Sequence, residues 1–165
     1  MKQHGLTLVE ILITIIILGI LLSIATPVFT ELMHKYRASS YMQQFSRHLH
    51  YARIKASLSQ AQVKVCPTAD NQCDGHWQFS PIQLALVDPV GQTTKLLREI
   101  PQVPVRHRLS YNRQQLHFRR DGSLDALENG TFFYCPPASY QWHYRLVLNQ
   151  AGRNRLTKHQ QSCPV

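Results

Sequence analysis

The sequence is short of acids and of the local motifs of catalysis. Its nine histidines form no His-Glu-x-x-His or comparable helical ligand pair. No glycine-rich phosphate loop follows a strand, and no Gly-x-Ser-x-Gly elbow occurs. The expectation is a protein that is not an enzyme. His107, His117, His143 and His159 fall in or near strand segments and read as surface or satisfied histidines. The four cysteines, Cys66, Cys73, Cys135 and Cys163, include no Cys-x-x-Cys pair and no histidine at zinc-ligand spacing, so neither a metal nor another cofactor is expected. Nothing matches a helix-turn-helix, a zinc finger or an RNA-binding sheet motif. Long repeats and low-complexity linkers are absent too. The 165 residues fit one domain plus an anchor.

What the chain does have begins at its start. After a short polar leader carrying Lys2 comes Gly5, then an almost unbroken apolar run to about Ala25. At about 1.5 Å per residue, roughly 20 apolar positions are long enough to cross a bilayer as a helix. One carboxylate, Glu10, sits inside the run, where a charge costs about 2.5–3.5 kcal/mol. A cleavable secretory signal, with Ser23-Ile24-Ala25 as its cleavage site, explains the leader but leaves Glu10 unexplained. A plain membrane anchor does no better. Lys2 is balanced by Lys35 and Arg37 beyond the run, so charge does not set its orientation.

Beyond Pro27, which kinks a helix in such a setting without ending it, Met42, Phe45, Leu49, Ala52 and Ala56 recur at three- and four-residue steps. That stripe predicts a helix packed on one side. Arg47, His48, His50, Arg53 and Lys55 fall on its other faces and read as a solvated surface. From Ala61 the period becomes two. Gln62–Val65, Trp77–Phe79, Ile82–Val87, Lys95–Ile100, Arg108–Tyr111, Gln115–Arg119, Thr131–Cys135, Tyr144–Leu148 and Arg153–Thr157 read as short strands between turn signals. One N-terminal helix followed by antiparallel strands is an α+β arrangement.

The run Gly5-Leu6-Thr7-Leu8-Val9-Glu10 resembles the class III signal of type IV pilins and of the pseudopilins of type II secretion. Gly19 and Pro27 fall where pilin helices carry their glycine and proline. Leu6 departs from the phenylalanine usual at the first mature position. The resemblance implies that a prepilin peptidase cuts after Gly5, that Leu6 becomes a methylated N-terminus, and that Glu10 docks on the α-amino group of a neighbouring subunit. A buried carboxylate is tolerable when a cation neutralises it. Further on, Gln115–Gly122, Asn129–Cys135 and Tyr144–Leu148 into Gly152-Arg153 resemble the C-terminal half of the GspH/FimT group of minor pilins and pseudopilins. Residues 66–104 match poorly. The implied organisation is a leader at 1–5, a transmembrane helix at 6–29, an amphipathic helix at 30–60 continuing into the periplasm, and a β-rich domain at 61–165 with a basic C-terminal loop. The implied fold is pilin-like, a long helix packed on small antiparallel sheets, in a subunit near a filament tip. Its implied setting is a single pass of the inner membrane, with the cell surface reached in an assembled pilus.

Four cysteines beyond a translocated helix suggest disulfides in an oxidising compartment. They allow three connectivities, and sequence does not choose among them. The expected pairing is Cys66–Cys73, across the turn-rich 67–72, with Cys135–Cys163 pinning the tail to a strand end.

The formal charge is +9, and it is uneven. From Gly91 onward eleven Lys or Arg face four acids, Glu99, Asp121, Asp125 and Glu128. Such a balance suits a polyanionic partner, and equally a domain that is merely basic. Within it, Gly152-Arg153-Asn154-Arg155 places two guanidinium groups on one face of a strand, about 7 Å apart. That is near the spacing of phosphates along a DNA strand, and guanidinium binds phosphate bidentately. A charged hairpin end or a contact to acidic filament neighbours has the same look. The motif resembles that of FimT-type minor pilins of naturally competent bacteria, which bind DNA through it; Arg153 and Arg155 are the residues it carries over. Lys158, Arg145, Arg119, Arg120 and Lys95 are candidates by charge alone. The expectation is a minor pilin whose partners are other pilin subunits, prepilin peptidase, the inner membrane and double-stranded DNA, bound without sequence preference during transformation. The alternatives are a minor pilin or pseudopilin that primes filament assembly without binding DNA, and a membrane-anchored periplasmic enzyme.

Overall fold

The computed structural model describes residues 7–70, 72–88 and 92–164. The chain divides into two units, residues 1–37 and 38–165. One helix, α1 (Leu8–Ser59), supplies the described helical part of the first and opens the second, with Pro27 inside it. Its start is a capping box, Thr7-Leu8-Val9-Glu10. Glu10 Oε2 accepts hydrogen bonds from the Thr7 amide (2.8 Å) and hydroxyl (2.9 Å), and the Thr7 hydroxyl oxygen accepts from the Glu10 amide (3.3 Å). In the first unit the large apolar side chains from Leu8 to Phe29 are exposed. This stretch is long and apolar enough to cross a membrane.

In the second unit α1 buries Ala38, Tyr41, Met42, Phe45, Leu49, Ala52 and Ala56, the stripe expected from the sequence extended by one turn. β1 (Gln62–Ala69), β2 (Gln72–Cys73), β3 (Ile82–Val87) and β4 (Thr93–Ile100) form one antiparallel sheet in the order β2-β1-β3-β4. The short β6 (Leu116–Phe118) pairs with β1. The second sheet has the order β5-β7-β8-β9, from Arg108–Ser110, Gly130–Cys135, His143–Leu148 and Asn154–His159. The α1 stripe meets both sheets in one core with Val63, Val65, Leu84, Phe118, Phe132 and Leu146. Phe45 stands edge-on to Phe132 at 4.9 Å, and Tyr41 lies 5.4 Å from Tyr134 between ring centres.

Most expected strands appear with ends moved by a residue or two. Trp77-Gln78-Phe79 does not: it is a turn, closed by the amides of Phe79 and Ser80 donating to the His76 carbonyl (3.0 and 3.2 Å). The Asp74 carboxylate starts it, accepting from the His76 amide (2.9 Å) and the Ser80 hydroxyl. Trp77 is buried because its indole N–H donates to the Arg113 carbonyl (2.6 Å) and its ring packs on Phe132 and Tyr111. Phe79 is exposed. The apparent alternation is one anchored tryptophan, not a pleat. Disulfides join Cys66 to Cys73 and Cys135 to Cys163, with Cα atoms 5.6 and 5.8 Å apart.

Candidate nucleic-acid interface

The basic loop of interest joins β8 to β9. The register runs from His143 opposite His159 to Leu148 opposite Asn154, which leaves Asn149–Arg153 to turn the chain. The turn closes by three bonds. The Gly152 amide donates to the Asn149 carbonyl (2.9 Å) and the Asn149 amide to the Arg153 carbonyl (3.0 Å). The Arg153 amide donates to Asn149 Oδ1 at 2.9 Å. Gly152 sits at φ +72°, a conformation that costs a side-chain-bearing residue about 1–2 kcal/mol.

A second turn of the same build follows β6. The Gly122 amide donates to the Arg119 carbonyl (2.8 Å) and the Arg119 amide to the Ser123 carbonyl (2.7 Å). Gly122 is at φ +78°. The two turns pack back to back. The Leu124 amide donates to the Gln150 carbonyl (2.9 Å), and Gln150 Nε2 returns bonds to the carbonyls of Leu124 (2.7 Å) and Asp125 (3.0 Å). A Cβ on Gly152 would stand 2.2 Å from the Gly122 carbonyl oxygen. Gly152 is therefore required by closeness as well as by backbone angle, whereas a Cβ on Gly122 would meet only side-chain atoms, the Ser57 hydroxyl at 2.8 Å and the Arg53 stem.

Strand β9 starts at Asn154, one residue later than expected. Asn154 turns inward and is tied twice to α1. The Ser46 hydroxyl donates to Asn154 Oδ1 (2.7 Å), and Asn154 Nδ2 donates to the Ser46 carbonyl (3.0 Å). Because alternate residues face opposite ways, this lock turns Arg153 and Arg155 outward, and both are exposed. Arg119 and Arg120 are exposed on the neighbouring turn. Asp121 beside them accepts from the Ser123 hydroxyl (2.6 Å) and amide (2.9 Å), which hold its carboxyl below the usual carboxylate range. Among the described residues no carboxylate forms an ion pair with any of these four arginines. Beside Arg119 and Arg120 opens a cleft that also touches Gln60, Gln62 and Val87.

The other candidates are distributed differently. Arg145 shares the outer face of the second sheet with Arg155, since Arg145 pairs with Thr157 and Val147 with Arg155. It is half-buried, its guanidinium 5.5 Å from the Phe133 ring centre, and its Nε has no hydrogen-bond partner among the described residues. Lys158 lies on the opposite face near the far end of β9, its ammonium 5.8 Å from the Trp142 ring centre. Lys95 is on β4, at the edge of the first sheet away from β6. The structure brings neither lysine to the paired turns. Gly5 and Leu6 lie outside the described residues.

Arg53 is the cation that charge counting missed. From α1 its Cγ comes within 3.2 Å of where a Gly122 Cβ would stand, and its Cδ within 3.3 Å of a Gly152 Cβ. Its helical position reads as solvated face in the sequence. Only the return of two glycine turns, roughly 70 and 100 residues later by numbering, places it. Asn154 was equally invisible, being the variable position of the motif.

An apolar helix entering a small domain of two antiparallel sheets is the build of pilin-like proteins. The chain belongs to the family of the type II transport protein GspH, among the type IV minor pilins and pseudopilins: that family's model matches residues 42–152, and the prokaryotic N-terminal methylation motif matches residues 1–26. The fold is similar to that of the type IV minor pilin FimU of Pseudomonas aeruginosa in two crystal forms, each 20% identical. One has a TM-score of 0.61, covering 81% of this chain and 98% of that chain; the other has 0.58, covering 74% and 98%. The minor pseudopilin EpsH from the type 2 secretion system of Vibrio cholerae is 15% identical, with a TM-score of 0.54 over 73% of this chain and 96% of that one. No curated protein sequence matches the chain. A role as a pilin or pseudopilin that assembles with other such subunits follows from the family, and its members are structural proteins rather than enzymes. The apolar helix and the methylation motif suggest a membrane-anchored pilin.

Proposed function

We propose that this minor pilin binds double-stranded DNA through the β8–β9 turn, without sequence preference, during DNA uptake. The observation that carries the reading is the Asn154–Ser46 lock, which turns Arg153 and Arg155 outward on a short-looped, glycine-closed hairpin. Guanidinium groups bind phosphate bidentately, and phosphate contacts release counterions whatever the base sequence. In the same reading, prepilin peptidase removes residues 1–5, Leu6 is methylated and the apolar helix holds the subunit in the inner membrane with its sheets in the periplasm. Glu10 then docks on a neighbouring subunit's α-amino group during assembly. Its bonds to Thr7 satisfy part of the carboxylate within its own chain before a partner arrives.

The test is a titration of short duplexes against the full chain in neutral detergent, at several salt concentrations. Arg153→Gln and Arg155→Gln variants run alongside. Binding that weakens steeply with salt and falls in both variants, with unchanged melting temperature, supports DNA capture. No binding at low salt by folded protein overturns it and leaves the assembly role alone.

A further inference from the structure

The paired glycine turns and α1 converge on one spot, and this has a consequence for how a duplex would seat. We propose that the phosphate-binding surface is built from three elements rather than from one loop. In it Arg53 of α1 is a direct phosphate contact alongside Arg119 and Arg120 of the Gly122 turn and Arg153 of the Gly152 turn. This rests on the DNA-binding reading and names the surface that serves it.

The geometry is specific. The aliphatic stem of Arg53 packs across both turns, with Cδ 3.3 Å from a Gly152 Cβ position and Nε 3.5 Å from that of Gly122. Its guanidinium is therefore held at the edge the two turns share. A larger residue than glycine at either turn would displace this stem or the facing backbone. The absence of side chains at 122 and 152 is what admits it. No carboxylate forms an ion pair with Arg53 among the described residues, so its charge is available to an anion. Like charges carried on packed elements repel one another, and a polyanion relieves that repulsion on binding. A duplex backbone presents phosphates repeating along each strand, so it can meet several such guanidinium groups at once.

The test uses the full chain in neutral detergent with short duplexes over a range of salt. Arg53→Met keeps an apolar stem against the two turns and removes the charge. Arg53→Lys keeps both stem and charge. Arg47→Met removes the same charge from an exposed position on α1 whose side chain the two glycine turns do not meet. The expected result is that Arg53→Met melts like the parent, binds about tenfold more weakly, and shows a log–log salt slope smaller by about 1. Arg53→Lys retains most of the affinity and Arg47→Met all of it. Parental affinity and slope in Arg53→Met would overturn the three-element surface while leaving the loop reading intact. Equal losses in Arg53→Met and Arg47→Met would overturn it too, since only net charge would matter. Failure of the parent protein to bind any duplex would remove the DNA reading itself, and this surface with it.

Discussion

Gly152 carries two constraints that add. Its φ of +72° disfavours any L side chain, and the Gly122 carbonyl oxygen occupies the space a Cβ needs, 2.2 Å away. Gly152→Ala is expected to cost about 2 kcal/mol or more, from the left-handed backbone and from pushing two turns apart. A urea melt of the full chain in detergent checks this, and an unchanged midpoint would refute it. Asn154 makes a different point, because it bears no charge. Asn154→Ala removes both bonds to Ser46 and is expected to cost about 1–2 kcal/mol. Duplex affinity should fall as well, although every arginine remains, because Arg153 and Arg155 lose their fixed aim. Undiminished affinity would show that the two arginines need no such support. The motif's arginines could be read from the sequence; the reason they face outward could not. It depends on a side-chain contact 108 positions apart.

At the scale of elements, α1 is the part most plainly written in the sequence. Its stripe of Met42, Phe45, Leu49, Ala52 and Ala56 is buried because spacing alone puts those residues on one face. At 77–79 a three-residue alternation does not distinguish a pleat from a single anchored ring, and the structure has the ring. Charge alone groups Lys95 and Lys158 with the loop; sheet order separates Lys95 from it, and the far end and opposite face of β9 separate Lys158. On β4, Arg98 stacks 3.9 Å from the Tyr51 ring centre and brings Nη1 to 3.5 Å from His48 Nδ1. Partial burial, then Arg98 and Arg47, hold the His48 pKa below its ordinary 6.5. A depressed histidine leaves the unfolded chain binding the extra proton first. Stability is therefore full above about 6.5 and falls as pH drops from there through the folded pKa. Arg47→Gln is expected to flatten that acid limb in urea melts between pH 7 and 5. An unchanged limb would show that burial and Arg98 set the shift without Arg47. The disulfides differ as elements too. Cys135–Cys163 closes a span of 28 residues and Cys66–Cys73 one of 7. On chain entropy their removal costs about 3.6 and about 2.4 kcal/mol, so Cys135→Ser with Cys163→Ser should melt lower than Cys66→Ser with Cys73→Ser.

For the whole molecule the question is whether net charge or placed charge governs binding. The formal charge of +9 attracts any polyanion at a distance, but free charges beyond about 10 Å are screened at 0.1 M salt. Placed charges act differently, since each phosphate contact displaces condensed counterions and steepens the salt dependence by about 0.9. If Arg53, Arg119, Arg120, Arg153 and Arg155 each meet a phosphate, the log–log slope is about −4.5, or roughly 500-fold between 50 and 200 mM salt. Removing Lys95 and Lys158 together takes away two charges that the fold keeps away from the turns. That double glutamine variant should keep the parent slope, whereas Arg153→Gln with Arg155→Gln should lower it by about 2. Equal slopes for the two variants would mean that the protein meets DNA as a diffuse cation, with no organised surface.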